Sequence, residues 1–393
     1  MPAHKVPVII LGGMENSLSV VRSLGRRGIS VSVASLPRCG AFYSRYIDKK
    51  YVIPAGTSRE AYFRELLLGE NSEQHHGSIV QACDDAAIEF IIENHQQLSQ
   101  HYRLDVHKPE LQKAMLDKQE TLRMAKEAGI GIPEFWNIDS LEDIAQIEDE
   151  ITFPAIIKPI HSHLFQKAFD GKKLIQINNK AELNEQAALV VEKGLEFMIS
   201  ELIPGPDTQN SSYYTHIDDE GNELFKFTKY VIRRDPPNFG GACCHGTQWL
   251  PETAALGEKF FRAIGFTGLA NIEFKQDPRD GTLKVIECNM RYTAGQELVT
   301  RSGVDIPYLI YQYLTDNKQP VVTDYKQGMQ YWYPREDFRS FRQLAARGEL
   351  SFGGWLKSVL HIPTVFPYFR LQDPMPSLVL LKAWVSDYLP WKK

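Results

Sequence analysis

The chain opens on an apolar run that ends in a glycine pair, and this feature limits its fold more than any other. Val8 to Leu11 reads as a strand, Gly12-Gly13 as a tight turn, Ser17 to Gly28 as a helix with Leu18, Val21 and Leu24 on one side, and Ile29 to Val33 as a second strand. Two strands joined through a helix form a βαβ unit, whose crossover makes the strands parallel and covers the sheet with helices. Ser78 to Ala82 starts a second unit: a strand ending in Cys83-Asp84-Asp85, where an aspartate can cap a helix over Ala86 to Ser99. Residues 1–116 are therefore expected to be doubly wound. Met14-Glu15-Asn16 after the glycine pair do not supply the GxGxxG spacing, which argues against nicotinamide hydride transfer. The turn and the helix near Asn16 read instead as cleft lining. Asp84 or Asp85 reads as a helix cap or as the holder of a substrate amine.

The order of elements then changes. A helix over Lys118 to Ala128 stops at Gly129, with Pro133 beyond it. The strand Ala155-Ile156-Ile157-Lys158-Pro159, a polar stretch from His161 to Lys173, a strand from Leu174 to Ile177, a helix over Glu182 to Val191 and a strand from Phe197 to Ile203 follow, ending in the turn Pro204-Gly205-Pro206. Further strands are expected at Glu223 to Val231, Ala270 to Phe274 and Lys284 to Cys288, the last two joined by Asp277-Pro278-Arg279-Asp280-Gly281. At roughly 100 to 200 residues per domain, such a length implies several units. The expected divisions are 1–116, 117–200, 201–320 and 321–393, the last an appended segment holding Trp332, Trp355, Trp384 and Trp391.

Residues two apart on a strand share a face, so Glu287, Asn289 and Arg291 point together if that strand continues. With Glu273 on the neighbouring strand they make a hard-oxygen cluster suited to Mg²⁺, with Mn²⁺ as the alternative ion, and an arginine to neutralise a phosphoryl group. The bland reading is a solvated hairpin. The residues upstream weigh against it. Asp117-Lys118, then Lys158, then Glu201-Leu202-Ile203-Pro204-Gly205-Pro206-Asp207, precede the acidic pair in that order.

This order, from about Leu116 to Leu314, resembles the ATP-grasp superfamily of carboxylate ligases. The resemblance implies a mixed α/β and α+β fold: an ATP-grasp fold behind an N-terminal doubly wound domain, with a C-terminal extension. It implies that Lys118 and Lys158 contact nucleotide phosphates, that Glu201, Leu202 and Ile203 form the hinge meeting adenine, and that Asp207 meets the ribose. Glu273, Glu287 and Asn289 would be metal ligands, and Arg291 would face the reacting phosphate. The flexible phosphate loop of that superfamily is often glycine-rich, whereas His161 to Gly171 holds one glycine, so the backbone amides of Ser162 and His163 are the candidate phosphate donors. Val231 to Gly241 resembles a subgroup related to carbamoyl-phosphate synthase large chains and D-aspartate ligases, which implies that Arg233 faces the active site. The implied activity is ATP- and Mg²⁺-dependent joining of a carboxylate to an amine through an acylphosphate, with an amino acid or small peptide as substrate. The alternative is a nucleotide-binding sensor or assembly subunit without catalysis.

Other function classes fit less well. A net charge of -5 argues against a general nucleic-acid binder. Five cysteines without CxxC spacing support neither a disulfide framework nor a zinc site, and are expected to be reduced and mostly buried. The short apolar run after Lys5 lacks the features of a signal peptide, so a cytoplasmic location is expected. Cys243-Cys244-His245 reads as pocket lining rather than a thiol nucleophile, and His75-His76 as solvated. The apolar runs Val359 to Phe366 and Leu378 to Leu381 are expected to pack on the lobes, with an interfacial helix as the lesser reading. A homo-oligomer is left open.

Overall fold

The computed structural model describes residues 5–138, 140–160, 165, 168, 169, 174–316 and 321–388. Strands β1 (Val8–Leu11), β2 (Val31–Ser35), β3 (Lys49–Val52), β4 (Ile79–Ala82) and β5 (Arg103–Leu104) form a parallel sheet in the order β3-β2-β1-β4-β5. Helix α1 (Glu15–Gly25) covers one face, where Leu18, Val21 and Leu24 pack with Val8 and Ile10. The opposite face holds Ile9 and Leu11 against α2 (Arg59–Leu68) and α3 (Asp85–Glu93). Alternate residues of one short strand thus supply two cores, as a doubly wound sheet requires. Gly12 and Gly13 both have positive φ, +72° and +79°, and a Cβ on Gly12 would collide with the Asp84 carboxyl group. That carboxylate caps α3 through the Ala87 amide and accepts from the Gly13 amide, each at 3.0 Å. The helix expected over Ala86 to Ser99 breaks at Asn94, whose side chain donates to the Phe90 carbonyl at 2.8 Å, and resumes as α4 (His95–Leu98).

After α5 (Pro109–Leu116) and α6 (Lys118–Glu127) come β6 (Phe135–Ile138), α7 (Leu141–Ile147), β7 (Ala155–Pro159), β8 (Ile175–Ile177), α8 (Lys180–Glu192) and β9 (Phe197–Glu201). Their strands form an antiparallel sheet, β6-β9-β7-β8, over a core that includes Ile157, Ile199, Leu183 and Val190. Strand β9 ends at Glu201, two residues short of expectation, which leaves Leu202 and Ile203 as the link out of this sheet.

The third sheet is built from β10 (Asn210–Ile217), β11 (Glu223–Asp235), β12 (Gly241–Thr247), β13 (Gly268–Gln276), β14 (Leu283–Asn289), β15 (Gln330–Trp332) and β16 (Thr364–Val365), in the order β14-β13-β10-β11-β12-β15-β16. Helices α9 (Pro251–Ala263), α10 (Gln296–Ser302), α11 (Ile306–Asp316), α12 (Pro334–Ala346), α13 (Phe352–Val359) and α14 (Met375–Tyr388) complete the described chain. The segment after residue 321 is not an appendage. Strand β15 pairs with β12, and Asp373 forms a buried ion pair with Arg22 at 2.8 Å. Cys39, Cys83, Cys243 and Cys244 are free and buried, and Cys288 is free and half-buried. His75 is buried rather than solvated. Among the described residues no helix is long and apolar enough to cross a membrane.

Candidate active site

The antiparallel register of β13 and β14 sets Glu273 directly across from Glu287, and Asn271 directly across from Asn289. Opposed residues on neighbouring strands project to the same side, so two carboxylates and two amides form one patch. The Asn289 amide lies 3.5 Å from the Asn271 side-chain oxygen. Asn271 was not anticipated, although its position two residues before Glu273 places it on the same face by simple alternation.

A lysine from the small sheet reaches this patch, with a second lysine from α6 next to it. Lys158, on β7, donates to the Ile286 carbonyl at 3.1 Å, next to Glu287 in the chain, and so bridges the two sheets. Lys118, the first residue of α6, donates to the Pro159 carbonyl at 3.1 Å. Burial, and then the neighbouring Lys118, lower the Lys158 pKa to about 8; Arg234 adds to the effect, and Glu287 and Glu273 oppose it. The two lysines of the expected phosphate clamp therefore sit close enough to Glu273 and Glu287 for all of these charges to act on one ammonium.

Arg233 requires a correction. Its guanidinium is buried and turned away, donating to both Asp337 oxygens at 2.6 and 3.2 Å and to Ser358 at 2.7 Å. The neighbour Arg234 faces the carboxylates instead, with Nη2 at 3.3 Å from Glu273. The cause is a pair of register shifts between β11 and β12 at Val231/Arg233 and Arg233/Arg234, which invert the alternation at that point. Among the described residues the buried Arg234 Nε has no hydrogen-bond partner. A buried guanidinium Nε whose Nη2 rests on Glu273 suits a phosphate oxygen as acceptor.

Asp207 also departs from its expected role. It is buried, and its two oxygens accept from the backbone amides of Arg234 and Asn238, each at 3.0 Å, so it secures the β11–β12 turn rather than presenting a carboxylate to a ribose. Arg291 lies two residues beyond the end of β14, so strand alternation does not orient it; its Nε contacts Asp85 at 2.5 Å, at the start of α3. Asp84 is taken up in capping, as described above. Glu201 accepts from the Glu134 amide at 3.1 Å and pairs with Arg279, which is itself bound to Asp277. Lys284 joins the same cluster at 2.8 Å from Asp277. Lys275 donates to the Ile203 and Gly205 carbonyls at 2.9 Å, tying the link to β13. Leu202 lies between these anchors, half-buried. Ser162 lies outside the described residues.

On the same face of the large sheet, Lys229 is set across from Ser212, which is itself across from Glu273. The buried Lys229 ammonium lies 3.1 Å from His245 Nδ1. Burial, and then Lys229, push the His245 pKa well below its ordinary value. The neutral ring accepts from the ammonium, and Cys243 and Cys244 remain high-pKa thiols through burial. A thiolate nucleophile is not supported there.

A family profile described as ATP-grasp in the biosynthetic pathway with Ter operon matches residues 232–335, which include Arg233, Arg234, Glu273, Glu287, Asn289 and Arg291. The chain has the ATP-grasp fold. Among curated proteins it is 24% identical to a D-aspartate ligase of Enterococcus faecium (strain Aus0004) over 332 residues, 81% of this chain and 78% of that one. Among solved structures, a biotin carboxylase β-γ-ATP complex from Campylobacter jejuni superposes with a TM-score of 0.63 at 15% identity, covering 84% of this chain and 75% of that chain. An L-amino acid ligase from Bacillus licheniformis superposes with a TM-score of 0.56 at 16% identity, covering 79% and 75%. The likeness in fold covers 84% and 79% of this chain in these two structures, and the D-aspartate ligase aligns over 81% of it.

Proposed function

We propose that the protein is an ATP- and Mg²⁺-dependent ligase that joins a carboxylate to an amine, with an amino acid or small peptide as substrate. The observation that carries this reading is the opposed pair Glu273 and Glu287, backed by Asn289 and faced by Lys158, Lys118 and Arg234. The donor set fits Mg²⁺: hard carboxylate and amide oxygens too few to enclose an ion, which leaves positions for water and phosphate oxygens. When bound there, the metal would neutralise charge on the phosphates. In the proposed reaction a substrate carboxylate oxygen bonds to the γ-phosphorus of ATP while the bond to the β-γ bridging oxygen breaks and ADP leaves. An amine nitrogen then attacks the acyl carbon, phosphate departs, and the nitrogen loses a proton. Lys118 and Lys158 hold phosphate oxygens, Arg234 and Arg291 orient the transferring group, and Glu201, Leu202 and Ile203 carry the adenine-side hinge whose closure excludes water. The D-aspartate ligase and L-amino acid ligase relatives favour an amino acid as one reactant.

Substrate-dependent ADP release over pairs of amino acids is the test. With an active pair, Glu287→Gln should lower turnover by about a hundredfold or more, because the metal that would neutralise the phosphates loses a carboxylate ligand. Full activity of Glu287→Gln at saturating Mg²⁺ would refute the assignment of the metal site. Calorimetric ATP binding without turnover on any pair would favour the nucleotide-sensor reading.

A further inference from the structure

We infer that Lys229 and His245 together seat the substrate carboxylate; the inference rests on the ligase reading and supplies a holder for the acid that is to be phosphorylated. The starting observation is a buried cation without a counterion. Lys229 is 4% exposed, and among the described residues no aspartate or glutamate pairs with its ammonium; its polar partner is His245 Nδ1, at 3.1 Å. The Tyr214 ring, with its centroid 5.5 Å from the ammonium, adds only the attraction of a π face. A buried charge in that condition is costly, and a bound anion offsets the cost.

The lysine also fixes the histidine. An ammonium has hydrogens to donate and no lone pair, so Nδ1 accepts, and the neutral ring carries its own hydrogen on Nε2. His245 is 1% exposed, and among the described residues its Nε2 has no hydrogen-bond partner, so a second buried donor stands unanswered beside the first. Both face Gly295. A Cβ built there would stand 3.3 Å from Lys229 Nζ and 3.5 Å from His245 Nε2, so a side chain at this position would occupy the ground that the two donors share. Gly295 has φ -75°, a backbone that any residue adopts, so the turn itself does not require glycine.

The surroundings are built, and they continue the strand that carries the candidate metal ligands. Tyr331 packs on the His245 ring at 4.5 Å between centroids and donates to the Ala294 carbonyl at 3.4 Å. The Tyr214 and Thr293 hydroxyls lie 2.9 Å apart. Two buried tyrosines thus hold residues 293–295 beside the donors, and Ala294 within this loop is exposed, so the loop itself meets solvent. Register sets Lys229 two strands from Glu273, roughly 10 Å between backbones. Charge selects the anion. One ammonium and one neutral N–H match the single charge of a carboxylate, whereas a phosphate with two charges finds Lys118, Lys158 and Arg234 around Glu273.

The test is ring-nitrogen NMR of the full chain carrying isotope-labelled histidine, with MgADP present, titrated with acetate, with aspartate and separately with inorganic phosphate. His245 is assigned by its absence from the spectrum of His245→Gln. It is expected in the Nε2–H form, with a proton resonance that moves saturably with the carboxylates and not with phosphate at equal concentration. Lys229→Met and Gly295→Ala, the second adding one methyl on an unstrained backbone, should each weaken the carboxylate response by about tenfold or more, as for one lost charged hydrogen bond. Calorimetric ATP binding should be little changed in both. An Nδ1–H tautomer, no response to either carboxylate, an equal response to phosphate, or an undiminished response in both variants would each overturn the proposal. The readout needs no turnover, so it fails separately from the ligase reading. Carboxylate binding without ADP release on any amino-acid pair would keep the seat and remove the ligase, and ADP release with a His245 blind to carboxylates would do the opposite.

Discussion

Arg233 and Arg234 are adjacent in sequence and have opposite surroundings, so their substitutions should separate stability from turnover. Replacing Arg233 with methionine leaves the Asp337 carboxylate buried without its cation, and breaking such a pair costs about 3 to 5 kcal/mol. A fall in the urea midpoint is expected, with kcat per folded molecule little changed. Arg234→Met should do the reverse: little loss of stability, and a fall in kcat/KM of roughly ten- to a hundredfold as the donor beside Glu273, proposed to meet phosphate, is removed. Equal effects of both substitutions on kcat/KM would show that the bulge does not partition the two roles. Lys158 makes a pH-dependent prediction. Its folded pKa, about 8, lies below the ordinary 10.5, so between these values the unfolded chain holds a proton that the folded chain has released. Stability contributed by this group therefore rises with pH across that window, and below about pH 8 the buried ammonium is a cost. Lys158→Met is expected to raise the melting temperature at pH 7 while weakening ATP binding. In the unaltered protein the KM for ATP should climb above about pH 8, and a pH-independent KM would argue against a phosphate contact.

At the scale of elements, the glycine turn after β1 and the cap of α3 form one device. A Cβ at Gly12 would stand 2.2 Å from Asp84, and the backbone there is left-handed, so Gly12→Ala should displace the cap as well as strain the turn. A loss of about 2 kcal/mol is expected, from roughly 1 kcal/mol each for the cap and the positive φ, and is measurable by denaturant unfolding. These parts could be read from sequence because their causes are local: a glycine pair after an apolar run, an aspartate before a helix, apolar residues at strand and helix spacing. The acidic patch was legible for the same reason, since alternation along β14 and a short hairpin bring Glu287 and Glu273 together. Strand β10 was not, because Asn210-Ser211-Ser212-Tyr213-Tyr214-Thr215-His216 is polar in sequence and becomes a central strand only once β11 and β13 flank it. Arg233 was misassigned because a β-bulge depends on the partner strand and leaves no local mark. Asp207 was misassigned because the turn amides it binds arrive from residues 27 and 31 positions away.

Across the whole molecule, the two ends of the described chain are fastened together by charge. Arg22, on α1, is fully buried and donates to the Asp373 carboxylate, to the Asp373 carbonyl and to the carbonyls of Pro367 and Tyr368. Asp373 also accepts from the Ser44 hydroxyl at 2.8 Å and the Arg45 amide at 3.0 Å. The segment that looked appended in sequence is thus part of the wall beside the first parallel sheet, and Tyr368 reaches Glu15 at the start of α1, at 3.1 Å. Asp373→Ala strands a guanidinium where water does not reach and frees two further donors, a cost of about 3 to 5 kcal/mol. The decisive measurement is where protection is lost. Amide exchange in Asp373→Ala should quicken in α1 and in residues 40–45 together with the C-terminal segment, because those elements share the lost acceptor. Exchange confined to residues beyond 360, with α1 as protected as before, would mean that the segment merely leans on the fold. Cooperative loss would instead make the C-terminal segment continuous with the N-terminal sheet, so that α1, residues 40–45 and the segment around Asp373 are held by one framework.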